Sequence, residues 1–176
     1  MKDFIMKTPI FARTLCAMSK WSDIRFHKEY RLQKSIHNNY RILSPKFEST
    51  YGTKEDLLLE FEKIKNKNPI CKTKTCILIH GYANTNTVMM PLQKHLEKND
   101  YYTINIRYSS MYSTLNELTE IIDELVNNLE GTVHIIGHSL GGLITTNIAN
   151  RNPEKIKNII LVGSPINGYE TAKKTM

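Results

Sequence analysis

Residues 132–142, Thr-Val-His-Ile-Ile-Gly-His-Ser-Leu-Gly-Gly, constrain the fold more than any other stretch of the sequence. They contain a Gly-x-Ser-x-Gly pentapeptide centred on Ser139, which follows a β-branched apolar run and precedes a helical pattern. A strand, a tight turn and a helix in this order place the serine at the carboxyl edge of a parallel sheet. Gly137 and Gly141 let the strand and the helix approach each other closely. The pattern therefore predicts that Ser139 is a nucleophile.

The second half of the chain alternates between strand and helix patterns. We predict strands at 75–80, 102–107, 132–136 and 158–162, and helices at 53–66, 91–98, 114–130 and 139–151. This alternation is typical of an α/β fold, a parallel sheet with flanking helices joined by right-handed crossovers. Functional residues of such sheets collect at the carboxyl ends of the strands. His80-Gly81, Ser109-Ser110, Ser139 and Ser164 all stand at such ends.

The first part of the chain is basic and has weaker patterns. Residues 1–74 hold 16 Lys/Arg against 8 Asp/Glu, whereas residues 75–176 hold 8 against 9. We predict a mainly helical N-terminal extension at 1–70, with short helices within 9–37, and the α/β core at 71–176. The charge indicates either a solvated lysine-rich surface or attraction to an anionic membrane. We expect no nucleic-acid partner, because no recognised motif accompanies the charge.

Cysteine usage and hydropathy favour a cytoplasmic location. The three cysteines, Cys16, Cys71 and Cys76, form no even disulfide framework, and Cys76 falls in an apolar strand. No run of 18 apolar residues and no signal-peptide pattern is present. We therefore expect a cytoplasmic protein, with peripheral membrane contact through the basic segment as a further expectation.

Nucleophilic serine chemistry also needs donors for an oxyanion. The backbone N–H of Leu140 lies at a helix N-terminus, where the dipole favours negative charge. The loop after the first strand of the core supplies the second donor, and we predict the N–H of Tyr82. His80, Gly81 and His138 are predicted to border the substrate. The chemistry implies no metal and no cofactor.

Residues 75–170 resemble the core of the α/β-hydrolase fold, in the branch of small lipases and esterases. Four pieces carry the resemblance in the correct order: Ile79–Tyr82, the Ile104–Tyr108 strand, Val133–Gly142, and Leu161–Gly168. The resemblance implies a carboxylic-ester hydrolase that forms an acyl-enzyme on Ser139. It also implies that Leu140 and Tyr82 supply the oxyanion hole.

The chain departs from that family after the sixth strand. The family's acid and histidine follow the nucleophile, but only Glu154 and Glu170 are acidic after Ser139, and no histidine follows. The family topology places strand 158–162 at an open, apolar edge, which proteins normally cover. Three explanations stand: a truncated sequence, a homodimer or partner chain that covers the strand, or coverage by the N-terminal segment in an inactive relative. The alternative function is a non-catalytic lipid- or membrane-binding protein.

Overall fold

The computed structural model describes residues 19–70 and 74–168, and these form two sheets with flanking helices. The first sheet contains β1 (Trp21–His27), β2 (Tyr30–Ser35), β3 (Tyr40–Leu43) and β4 (Ser49–Gly52), and is followed by α1 (Lys54–Lys67). The second contains β5 (Lys74–Ile79), β6 (Tyr101–Asn105), β7 (Val133–His138) and β8 (Ile156–Val162), with α2 (Met90–Lys98), α3 (Leu115–Asn127) and α4 (Leu140–Arg151) between its strands. A 3₁₀ turn, Asn86–Met89, precedes α2.

The second sheet is parallel, with the order β6-β5-β7-β8. This order confirms the predicted topology. Ile77 pairs with Ile104 on one side and with Ile135 on the other, so the centre of the sheet is a row of fully buried β-branched side chains. Strands buried on both faces read as continuous apolar runs, which is why the sequence revealed them.

Helix α3 shows how local sequence and packing agree. Thr114 and Glu117 form a capping box, in which each side chain bonds the other residue's backbone N–H. The helix then buries an apolar stripe that includes Leu118, Ile122 and Leu125 against the parallel sheet. The cap fixes where the helix begins, and the stripe fixes which face it turns to the sheet.

The prediction of short helices in the N-terminal segment is wrong for the described residues. Residues 21–52 form an antiparallel meander in the order β1-β2-β3-β4. The turn between the first two strands has positive φ at both Lys28 and Glu29, 44° and 67°, as a two-residue hairpin requires. Such turns ordinarily contain Asn or Gly, so Lys-Glu gave no hairpin signal. Polar Asp23, Arg31 and Gln33 are buried as well, which hides the apolar alternation of a strand.

The meander contacts both α1 and the parallel sheet. Ile24, Leu32 and Ile42 pack with α1 residues in one core cluster, and Phe26 belongs to the core of the parallel sheet. The backbone N–H of Asp23 donates to the carbonyl of Arg107, 2.8 Å away, just beyond β6. The described N-terminal residues therefore lie beside β6, at the edge of the sheet opposite β8. The division into segments 1–70 and 71–176 stays a prediction.

Strand β8 forms the edge of the parallel sheet in the described part of the chain, and its side chains are exposed as predicted. Ile159 is 40% exposed, Ile160 55% and Val162 46%. Exposed apolar strands at an edge are templates for pairing with another strand.

The described interior contains one cysteine. Cys76 is a buried free thiol, as predicted, and burial raises its pKa to about 12. Cys16 and Cys71 lie outside the described residues. None of the described helices combines the length and the apolar character that crossing a bilayer requires.

Candidate active site

Ser139 occupies a strained turn between β7 and α4. Its backbone has φ 53° and ψ −117°, which lies outside the dihedral regions that residues other than glycine ordinarily adopt. The surrounding glycines explain how the turn fits. A Cβ on Gly141 would collide with the backbone oxygens of Ile79 and His80, and one on Gly137 would lie 2.5 Å from the Gly141 oxygen. The predicted close approach of strand and helix is confirmed.

Strand β8 helps to hold this turn. The backbone N–H of Ser139 donates to the carbonyl of Val162, 2.9 Å away. A Cβ on Gly142 would overlap the side chain of Ser164, in the loop after β8. The residues that the sequence placed at the ends of β7 and β8 therefore meet around Ser139.

The loop after β5, His80-Gly81-Tyr82, lies against the same turn. The position that a Gly81 Cβ would take is 3.1 Å from the Cβ of Ser139 and 3.1 Å from Nδ1 of His138. Tyr82 follows with its side chain 59% exposed. Leu140 is the first residue of α4, so its N–H has no partner inside the helix. The arrangement leaves room for backbone donors beside the serine, and the oxyanion role of Tyr82 and Leu140 stays a prediction.

His80 is fully buried under the site. Its ring stacks on Tyr108, and its carbonyl accepts a hydrogen bond from the Tyr108 hydroxyl. Burial lowers the pKa of His80 to about 4, and burial also raises the pKa of Tyr108. The imidazole is therefore neutral near pH 7. A buried neutral ring, with Nδ1 2.9 Å from the Gly81 oxygen, is suited to shaping the loop.

His138 is half-buried beside Gly81. Its Nδ1 is buried and has no hydrogen-bond partner among the described residues. Buried polar atoms in native proteins are normally bonded, so this nitrogen is an exception. Its predicted contact with substrate stays a prediction.

The other four histidines lie away from the serine or are engaged elsewhere. His27 Nε2 is 2.6 Å from the Asn68 oxygen, and His134 Nδ1 is 3.1 Å from the side-chain amide nitrogen of Asn158. His37 and His95 are exposed in a turn of the meander and on α2. Glu154 is exposed in the turn before β8, at the end of that strand opposite Ser139, and Glu170 lies outside the described residues.

Two groups near the site gave no signal in the sequence. The sequence places Tyr108 at the carboxyl edge of the sheet, but it does not show that Tyr108 stacks on His80 and bonds the His80 carbonyl. Asp23 bonds the loop after β6 from 84 residues away in the chain.

The hydroxyls of Ser109 and Ser110 are buried without a partner among the described residues. The described part of the chain contains no cluster of three His, Cys, Asp or Glu side chains able to hold a metal ion.

Comparison with known proteins agrees with this geometry. The sequence model of the family described as the alpha/beta hydrolase fold matches residues 75–175, more than half of the chain. The chain belongs to the α/β-hydrolase family.

Curated relatives match half of the chain. Pimeloyl-(acyl-carrier protein) methyl ester esterase of Shewanella woodyi is 27% identical over 89 residues, which cover 50% of this chain and 35% of the relative. The enzyme of the same name from Shewanella oneidensis is 30% identical over 89 residues, covering 50% and 34%. The chain thus spans about a third of the length of these relatives.

Solved structures of the same fold also align. Polyneuridine aldehyde esterase has a TM-score of 0.48 at 20% identity, over 52% of this chain and 40% of its own. A pyrethroid hydrolase from Sphingobium faniae JZ-2 has a TM-score of 0.47 at 22% identity, over the same shares.

Proposed function

We propose that this chain carries the nucleophile half of a carboxylic-ester hydrolase. Ser139 attacks the ester carbonyl through Oγ, the carbonyl electrons move onto oxygen, and the N–H groups of Leu140 and Tyr82 receive the oxyanion. The oxyanion collapses and the bond from the carbonyl carbon to the leaving oxygen breaks, while the proton released from Ser139 Oγ is passed to that oxygen, so an alcohol leaves. The acyl group stays on Ser139 until water releases it as the acid. The observation that carries the proposal is the strained turn of Ser139 packed against Gly81. The names of the curated relatives, methyl ester esterases, support ester chemistry.

The test is covalent labelling of the full chain with a fluorophosphonate. We expect labelling of the wild type and none of Ser139→Ala. Ser113→Ala is the matched control, because Ser113 is a half-buried serine of the loop before α3 and lines a pocket with Lys34 and Glu117. Equal labelling of the wild type and Ser139→Ala would show that Ser139 is not the nucleophile.

The general base and acid are proposed to come from a polypeptide that pairs with β8. The six histidines of the chain all precede Ser139 in sequence, and the one beside it, His138, faces the Gly81 loop. In the described part of the chain, the outer edge of β8 pairs with no strand, so it can accept a neighbouring one. The source of that strand is further sequence of a longer protein, a partner chain or a second copy of this chain. We expect slow turnover of a p-nitrophenyl ester until the completing polypeptide is added, with labelling of Ser139 detectable before.

Peripheral membrane contact is a second candidate function. Residues 19–52 carry seven Lys/Arg and three Asp/Glu, and Phe47 in the turn between β3 and β4 is 72% exposed next to Lys46. Basic side chains attract anionic lipid, and aromatic rings favour the membrane interface. We expect sedimentation with phosphatidylserine vesicles that weakens in Phe47→Ser and persists in Ser139→Ala. Equal sedimentation of Phe47→Ser and wild type would contradict this contact.

A further inference from the structure

A buried carboxylate joins the N-terminal meander to the parallel sheet. Asp23 in β1 is fully buried. One of its oxygens accepts a hydrogen bond from Gln33 Nε2 at 2.8 Å, and the other is paired with the Arg31 guanidinium. A buried charge persists in a fold only when it is paired and hydrogen-bonded. Asp23 meets that requirement inside its own sheet.

The same carboxylate reaches the segment after β6. The N–H of Arg107 donates to Asp23 Oδ2 at 2.8 Å, and the N–H of Asp23 donates back to the Arg107 carbonyl at 2.8 Å. Arg31 Nη1 lies 3.2 Å from the Asn105 carbonyl, and the N–H of Ser109 donates to Ser22 Oγ at 3.0 Å. Four bonds therefore fix a five-residue stretch of backbone between β6 and the following loop.

That stretch holds the loop beside the nucleophile. Tyr108 follows Arg107, is buried, and stacks on His80 with ring centroids 4.1 Å apart. Its hydroxyl bonds the His80 carbonyl. Gly81 comes next and packs against Ser139. The charge of Asp23 also reaches His80, where it opposes the fall in pKa that burial causes.

We propose that Asp23 is a positioning residue for the His80-Gly81-Tyr82 loop, acting through Arg107 and Tyr108. The inference rests on the proposed function, because that loop carries one of the two oxyanion donors. Replacing the Asp23 carboxylate with an amide removes the charge that pairs with Arg31. It also sets an N–H₂ group either against the donors of Arg107 and Arg31 or against Gln33 Nε2. The segment then moves, and Tyr108 carries the His80 carbonyl with it.

The test compares Asp23→Asn with two other variants of the full chain. Tyr108→Phe removes only the hydroxyl that bonds His80, at the other end of the same path. Ile42→Val is the control, because Ile42 is buried in the cluster between the meander and α1 and contacts none of these groups. Two readouts are measured: the amide resonances of Gly81 and Tyr82, and the rate and saturation constant of fluorophosphonate labelling at Ser139.

We expect the Gly81 and Tyr82 resonances to move in Asp23→Asn and Tyr108→Phe and to stay in place in Ile42→Val. The maximal labelling rate falls on the order of 10²-fold in Asp23→Asn, as small misplacements of reacting groups do, while the saturation constant is unchanged. Unmoved resonances in a folded Asp23→Asn overturn the inference. If that variant does not fold, unmoved resonances in Tyr108→Phe overturn it instead. Absence of labelling in the wild type refutes the proposed function, and the resonances still decide the role of Asp23.

Discussion

The imidazole of His80 stacks on the phenol ring of Tyr108, with ring centroids 4.1 Å apart and ring planes 14° apart. Burial lowers the pKa of His80 from 6.5 to about 4. Between these values the unfolded chain binds a proton that the folded chain does not, so the free energy of unfolding falls as pH decreases through this range. We expect a loss of about 3 kcal/mol from His80, complete near pH 4, in urea unfolding measured from pH 4 to 7.

His80→Phe provides the control for this pH dependence. Phenylalanine keeps a ring against Tyr108 but does not titrate. We expect a smaller fall in unfolding free energy between pH 6.5 and 4 in this variant. The remaining fall reports other groups, including His134, whose pKa burial also lowers. Identical pH dependence of the wild type and His80→Phe would contradict the neutral buried state of His80.

Gly142→Ala tests the packing of α4 against the loop after β8. The added Cβ would overlap the Ser164 side chain, so we expect destabilisation of about 1–3 kcal/mol, as overpacked sites show. This corresponds to roughly 2–12 °C in thermal midpoint for a chain of this size, measurable by circular dichroism. Gly52→Ala is the matched control, because its Cβ meets only the Leu57 side chain at 3.4 Å or more. A thermal midpoint equal to that of Gly52→Ala would show that the loop after β8 moves away from the added methyl group with no loss of stability.

Ile160→Thr tests whether β8 mediates self-association. Because Ile160 is 55% exposed, the substitution removes an apolar edge contact with little loss of core packing. We expect an unchanged thermal midpoint and a lower weight-average mass in sedimentation velocity across a concentration series. Ile135→Thr, in the neighbouring strand and fully buried, is expected to lower the midpoint instead. A monomeric wild type at all concentrations would rule out a second copy as the partner of β8.

Thr114→Ala removes the cap of α3. The Thr114 hydroxyl accepts the N–H of Glu117 at 3.3 Å, and the Glu117 carboxylate accepts the N–H of Thr114 at 2.7 Å. Loss of a capping hydroxyl costs about 0.5–2 kcal/mol, which urea unfolding at pH 7 resolves. Thr114→Ser keeps the hydroxyl and should retain most of the stability. Equal losses in both variants would assign the effect to the threonine methyl group rather than to the cap.

The parallel sheet and the turn at Ser139 were predictable from sequence because their causes are local. The apolar runs of β5 and β7 are short and end at glycines, and the Gly137–Gly141 spacing dictates a close strand-to-helix turn. The cap at Thr114 needs only two residues three positions apart. Strand order followed from the resemblance to the family, and the structure confirms it.

The meander was missed because its causes are not local. The turn at Lys28 and Glu29 lacks turn residues, and its strands bury Asp23 and Arg31, which a pattern of hydrophobicity counts as exposed. Those side chains are buried only because they pair with each other and because Asp23 bonds the backbone of Arg107 and Arg31 that of Asn105.

Sequence alone determined where Ser139 stands, since five residues suffice to shape its turn. The tertiary structure decided what surrounds it. Packing made His80 neutral beneath the loop, left Nδ1 of His138 without a partner, and brought Asp23 to the end of β6 across 84 residues. Burial and pairing between distant segments set these properties, and neither can be read from residues that are neighbours in the chain.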